Sequence, residues 1–259
     1  MRSRINLGLF LIHLGNLIRS LAIMVMRPDD LIEFSRRTYA TTEIVKACVH
    51  EDLVDSGLDS SETSLLERVP FKKGRLLLLG LGGGREAIPL VRIGFEVTGV
   101  DFVPEMVEKA RENAARHGVR IEGLVQEISQ LDVPSGSYNI VWLSQAMYSS
   151  VPTRRRRIEM LKRIGKAIRP EGYFICQFHW DNKRGPSTIV EFAGKVFALL
   201  TLGNLSYEKG DALRALAEFT HSFSSEDELR SEFQEGGFEV EYMQIPQKGI
   251  MGGGVLKRT

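Results

Sequence analysis

Residues Leu76–Ala87 read LLLLGLGGGREA, and their order decides the fold. Four leucines in a row, Leu76–Leu79, are too short a run for a helix and suit a strand buried on both faces. Gly80, Gly82, Gly83 and Gly84 then let the backbone take positive φ and come close to a bound molecule. EAIPLVRIG (Glu86–Gly94) continues as a helix closed by glycine. A strand, a glycine turn and a helix start present free N–H groups and the positive end of a dipole, which suits a nucleotide.

Outward from that turn the pattern repeats. FEVTGVD (Phe95–Asp101) reads as a second strand, VPEMVEKARENAARHG (Val103–Gly118) as a helix, VRIEGLVQE (Val119–Glu127) as a third strand and SYNIVWLSQ (Ser137–Gln145) as a fourth. RRRRIEMLKRIGKAIRP (Arg154–Pro170) is a helix stopped by its proline, and GYFICQFHW (Gly172–Trp180) a fifth strand. Strands alternating with helices predict an α/β fold whose parallel sheet is covered on both faces. FSSEDELRSEFQEGGF (Phe223–Phe238) predicts a helix capped by Ser224 or Ser225 and closed at Gly236–Gly237. FEVEYMQI and the closing GGGVLKR predict two more strands, antiparallel to each other, for a mixed sheet of seven.

The flanks carry additions. Residues 1–70 read as extra N-terminal helices and 71–259 as the main domain, with a helical cap inserted at about 181–220. Asp29 or Asp30 caps the second helix, SSET (Ser60–Thr63) opens a third, and FAGKVFALLTLGNL (Phe192–Leu205) makes an apolar lid. The first helix, Ile5–Met26, is mostly apolar, with Arg2, Arg4 and Arg19 and no acid. At 100° per residue Asn6, His13, Asn16, Arg19 and Ser20 gather mainly on one side, which predicts an amphipathic helix rather than a membrane span. It serves either for packing, on the domain or in self-association with a second subunit, or for peripheral membrane contact through residues 5–26.

Composition narrows the partners. A net charge of +1 gives no bulk attraction to nucleic acid. The run Arg154–Arg157 lacks interleaved aromatics and reads as the solvated start of its helix, with a phosphate or an acidic partner as the sharper use. The two cysteines, Cys48 and Cys176, form neither a disulfide framework nor a CxxC metal pair. They fit a reducing, cytoplasmic setting and no metal centre.

Asp101 ends the second strand, where a carboxylate can accept both hydroxyls of a ribose. Two nucleotides fit this far. Gly82-x-Gly84-x-x-Ala87 matches GxGxxA, and Asp101 follows at nearly the spacing NAD requires. S-adenosylmethionine (SAM) fits equally. The downstream stretch EISQLDVPSGSYNIVWLSQAM (Glu127–Met147), the LKRIGKAIRPEGYFIC turn and the EGGF ending with two strands resemble the class I SAM-dependent methyltransferases, over about Arg75–Thr259. That resemblance implies a Rossmann-like sheet and a cofactor site. Leu79, Gly80 and Gly82 of the turn, Glu86, Phe102, Met106 and Ser144 would line it, with Asp101 on the ribose and Glu127 and Ile128 on the adenine. It also implies methyl transfer; the lack of an RNA-binding pattern and the apolar cap point to a small-molecule acceptor held between the sheet's carboxyl edge, the N-terminal helices and the cap.

Three positions depart from the family. Leu78 stands where an acid helps hold the methionine amino group, with Glu86 as a candidate substitute. Asn139 replaces the aspartate of the fourth strand, and Pro170-Glu171-Gly172 replaces Pro-Gly-Gly. Candidate bases near the strands' carboxyl ends are His179, Tyr148 and His221. The rival readings are an NAD(P)-binding oxidoreductase, which predicts a sixth parallel strand in place of the antiparallel pair, and a non-catalytic methyltransferase-like subunit.

Overall fold

The computed structural model describes residues 2–181, 188–214, 218–247 and 251–259. Five helices come first: α1 (Arg2–Val25), α2 (Pro28–Tyr39), α3 (Thr42–Cys48), α4 (Glu51–Asp55) and α5 (Ser60–Glu67). The caps differ in register from the expected ones. Arg27 is the N-cap of α2, with Pro28 opening the helix and the Asp30 carboxylate accepting the Arg27 N–H at 2.9 Å. Asp59, not Ser60, caps α5, and Glu62 reaches back to the Asp59 N–H at 2.8 Å, closing a capping box.

The sheet then builds in order. β1 (Gly74–Leu79), α6 (Ala87–Ile93), β2 (Phe95–Asp101), α7 (Pro104–Arg116), β3 (Glu122–Val125), β4 (Tyr138–Leu143), α8 (Arg154–Ala167) and β5 (Ile168–Trp180) make the parallel part. After α9 (Thr188–Leu200) come β6 (Asp211–Arg214), β7 (Glu218–Phe223), α10 (Glu226–Glu235), β8 (Phe238–Gln244) and β9 (Met251–Arg258). Spatially the order is β3-β2-β1-β4-β5-β9-β8, with β9 antiparallel to both neighbours. These are the seven expected strands, and the antiparallel end stands where the dinucleotide-binding alternative called for a sixth parallel strand.

Leu76–Leu79 show why both faces are apolar. All four are fully buried, Leu77 and Leu79 in the layer with α8 and α10, Leu76 and Leu78 in the layer with α5, α6 and α7. Ser225 caps α10 by accepting the Glu228 N–H.

The helical cap expected over 181–220 is corrected. Residues 182–187 and 215–217 lie outside the described residues, and α9 supplies the helical part. Asp211–Arg214 is instead a strand in an antiparallel hairpin with β7, whose end pairs with β5 through His179–Ser222 and Trp180–Phe223. ALRALAEF has helix-forming residues, but Phe219, His221 and Phe223 follow with the period of a strand and are buried. Tertiary pairing overrides local preference there.

Near the start of β5, where its pairing with β4 shifts register, Glu171 holds φ +63°, a conformation that costs a residue with a Cβ. Its carboxylate reaches Lys257 across an exposed ion pair. Glu171→Gly is expected to stabilise the fold by ~0.5–1 kcal/mol in urea unfolding, because strain relief exceeds the added chain entropy. A loss of stability would show that the ion pair outweighs the strain.

Candidate functional site

A broad cavity opens at the carboxyl ends of β1, β2 and β4, enclosing about 1160 Å³ with its open mouth included. The glycine turn forms its floor. Gly82 has φ +49°, a Cβ there would meet nothing, and its N–H donates to Asp101 Oδ2 at 2.9 Å. Gly83 is glycine for packing: a Cβ would lie 2.3 Å from the Cys48 carbonyl, where the end of α3 presses on the turn. Asn113 of α7 holds the Gly83 carbonyl at 2.8 Å from the other side. The turn is thus clamped between α3 and α7 before any ligand enters.

Asp101 is 9% exposed. Burial raises its pKa, and the N–H groups of Val103 and Gly82 pull it back. Each oxygen accepts one backbone N–H, Oδ1 from Val103 at 3.0 Å and Oδ2 from Gly82, leaving a lone pair on each for a vicinal diol. Glu127 lines the same wall and holds both the N–H and the hydroxyl of Ser129, at 2.8 and 2.6 Å. Phe102, Met106 and Ile128 supply apolar surface, with Tyr39 of α2 at 6.4 Å from the Phe102 ring.

Glu86 takes an unusual place. Its buried carboxylate accepts the Ser144 hydroxyl and an Arg85 N–H at 2.6 Å. Arg85 is itself clasped by Glu62 of α5, at 2.8 and 2.5 Å. Burial pushes the Glu86 pKa up, while Arg85 and then Ser144 push it down. Leu78, where the resemblance expects an acid, is fully buried in the apolar layer beside α6.

The structure brings together Gly80, Gly82, Glu86, Asp101, Phe102, Met106, Glu127, Ile128 and Ser144 around this cavity. Leu79 does not line it; its side chain faces the core on the α8 side. Asn139 is structural, its oxygen accepting the Arg75 N–H and the Arg169 guanidinium at 3.0 and 2.7 Å.

None of the three candidate bases reaches the cavity. Tyr148 is fully buried and its hydroxyl donates to Glu232 at 2.7 Å; burial first and Glu232 second raise its pKa. His221 is fully buried with Nδ1 2.8 Å from Asp211 Oδ1 and its ring edge-on to Phe223. His179 sits where β5 meets both β7 and β9, its N–H held by Ser149 Oγ at 2.8 Å. The 3-10 turn at Met147–Ser150 swings Tyr148 into the core, and β7 covers the end of β5. The apolar stretch Phe192–Leu205 does not line the cavity either; where it is described it packs on α1.

Of the arginine run only Arg155, paired with Glu159 of its own helix, is a solvated face. Arg157 is fully buried and forks onto Glu232 at 2.9 and 2.7 Å while reaching Glu208 at 2.8 Å. Arg154 binds Glu235, and Arg156 binds Asp29 of α2. Among the described residues, Glu208, Asp211 and His221 alone have metal-ligand spacing, yet their oxygens already accept Arg157, the Arg154 N–H and the Glu208 N–H. A guanidinium supplies the positive charge of that cluster.

The far side of the cavity escaped the sequence. Ile32, Ser35 and Tyr39 of α2, Cys48, Leu53, Ser150, Val151 and Glu218 close it. Glu218 accepts the Ser150 hydroxyl at 3.2 Å and bonds the Tyr39 hydroxyl, whose pKa burial and then this carboxylate raise. Gln145, at φ +43°, also lines the cavity. Arg85 is the cationic side chain on the lining, and both its terminal nitrogens are taken by Glu62, Glu86 and the Gly57 carbonyl.

A sheet of this order with a glycine turn over an acid at the end of β2 defines the class I SAM-dependent methyltransferase fold. Residues 76–172 match the model of the methyltransferase-domain family. It is similar to the putative methyltransferase YqeM of Bacillus subtilis, 28% identical over 51% of this chain and 53% of that one. It is also similar to a ubiquinone biosynthesis O-methyltransferase of Caulobacter sp., 31% identical over 57% of this chain and 61% of that one. The chain thus spans little more than half the length of these relatives. Among solved structures, a SAM-dependent methyltransferase of Methanosarcina mazei superposes with a TM-score of 0.60 at 20% identity, covering 78% of this chain and 98% of that one. Other relatives are named for a phospholipid and for ribosomal RNA, so likeness leaves the acceptor open.

Proposed function

We propose that this protein transfers a methyl group from SAM to a small, largely apolar acceptor that is neutral or cationic, with Glu218 taking the acceptor's proton. One observation carries the reading: a single cavity joins the glycine turn, Asp101 and Glu127 on one side to an apolar wall and the Tyr39–Glu218 pair on the other. Bound SAM supplies an activated methyl on a sulfonium. The chain's task is to hold both partners in line and keep water out.

Asp101 would take the ribose hydroxyls, Glu127 and Ile128 the adenine edge, and Phe102 and Met106 its faces. Leu78 is carbon, so the methionine ammonium would fall to Glu86, whose carboxylate accepts from Arg85 and Ser144. The acceptor would lie against Ile32, Leu53, Met147 and Val151. Phosphate-bearing acceptors find no unengaged cation among the described lining residues, which speaks against nucleic acid.

Calorimetry with S-adenosylhomocysteine, SAM and NAD tests the cofactor side. Asp101→Ala is expected to weaken S-adenosylhomocysteine binding about 10–100-fold, the worth of hydrogen bonds to a charged group. NAD binding without SAM binding would overturn the reading. Radiolabelled SAM incubated with small-molecule extracts tests the acceptor side; tight cofactor binding with no labelled product would point to a non-catalytic subunit.

A further inference from the structure

We infer that α1 docks this protein on a lipid bilayer carrying anionic headgroups. The helix stands apart from the domain over most of its length. Ile23 and Met24 at its end are buried, but Phe10 is 60% and Ile12 61% exposed, with Ile5, Leu7, Leu9 and Leu11 similar. At about 100° per residue these six leave no gap wider than about 100° around the axis. The expected narrow polar stripe is therefore weaker than its sequence suggests. His13 on that stripe turns its ring nitrogen to the Leu9 carbonyl at 2.6 Å, satisfying it within the helix.

An apolar surface on all sides selects the occupant. A second copy of the helix would cover one seam and leave the opposite side in water. A bilayer surrounds the helix. Charge agrees: Arg2, Arg4, Arg19 and Arg27 occur before the first acid, Asp29. A second apolar element stands beside the first. Leu199, Leu200, Leu202 and Leu205 at the end of α9 are exposed, and their segment is tied to the base of α1. The ties are the Asn204 N–H on the Met24 carbonyl at 2.7 Å and Arg27 on the Leu202 carbonyl at 2.9 Å. No helix among the described residues is long and apolar enough to cross a membrane, and the free part of α1 is about 25 Å long, short of a hydrocarbon core. Docking in one leaflet is what remains. It also brings the cavity near the lipid, because α2, which follows α1 after a two-residue link, forms one cavity wall.

The test is co-sedimentation of the full chain with vesicles of phosphatidylcholine alone or mixed with phosphatidylglycerol. Pelleting is expected with both and stronger with the mixture, with salt weakening only the difference. Phe10→Asp with Leu14→Asp is expected to lower partitioning more than tenfold while leaving the melting temperature unchanged, since both side chains are exposed. No pelleting with either vesicle overturns the inference. So does a dimer in light scattering that these substitutions split while wild type ignores vesicles, because a second copy then covers α1. None of these outcomes depends on the methyl-transfer reading.

Discussion

Glu232→Ala is expected to cost ~3–5 kcal/mol of folding stability, the usual penalty for removing one partner of a buried ion pair. Glu232 and Arg157 are both fully buried, and the guanidinium forks onto both carboxylate oxygens. Arginine cannot shed its proton to escape burial. Burial by itself would lower its pKa, yet the fork with Glu232 raises it above the ordinary value. Without Glu232 the guanidinium keeps Glu208, which is partly exposed and lies at the edge, the Val151 carbonyl at 3.4 Å and the ring of Phe223 at 5.2 Å. The Tyr148 hydroxyl would lose its acceptor in the same step. The double variant Arg157→Met with Glu232→Leu removes both charges together and is expected to lose less than Glu232→Ala alone. Urea unfolding followed by circular dichroism measures all of them. A loss below ~1 kcal/mol for Glu232→Ala would mean water reaches the pair and the network is not the closed one described.

That network also shows where the sequence stopped being readable. The β-α series was legible because each element announces itself locally: an apolar run, a glycine closing a helix, a proline stopping one. The cofactor side followed, since the turn, Asp101 and Glu127 sit at strand ends whose positions the series fixes. Tyr148 and His221 occur near such ends too, but occurrence near an end does not fix direction. One residue of a 3-10 turn sends Tyr148 inward to Glu232, 84 residues later. Three of the four consecutive arginines lose their solvent when Glu232 and Glu235 of α10, Asp29 of α2 and Glu208 from the turn before β6 arrive; Arg155 stays exposed beside Glu159. Leu79 adjoins the turn in sequence, whereas strand alternation sends its side chain to the core, as it does for Leu77. The acceptor side had no local signal at all. Ile32, Tyr39 and Cys48 come from the N-terminal helices and Glu218 from a hairpin strand far along the chain, and only the closed structure makes them neighbours.

Glu218→Gln is expected to lower methyl transfer about 10²–10⁴-fold, the range for loss of a positioned general base. The expectation rests on what else faces the acceptor side. Tyr39 is held protonated by burial and by the Glu218 carboxylate, so it donates rather than accepts. Burial raises the Cys48 pKa, and the carboxylates of Asp101 and Glu218 raise it further, which keeps that thiol neutral. Ser35 and Ser150 lack a base of their own except Glu218, which already takes the Ser150 hydroxyl. Glutamine keeps the size and the two hydroxyl contacts while removing the proton acceptor, so cofactor binding, set by Asp101 and the glycine turn, is expected to change less than about threefold, within the scatter for a substitution that leaves those contacts alone. Single-turnover transfer from radiolabelled SAM, run beside calorimetry with S-adenosylhomocysteine, separates the two effects. Transfer at the wild-type rate in Glu218→Gln would mean the acceptor arrives already deprotonated or with a free lone pair, and Glu218 then only orients it through Tyr39 and Ser150. In that case Glu218→Ala, which drops both hydroxyl contacts, would raise KM and leave kcat nearly intact.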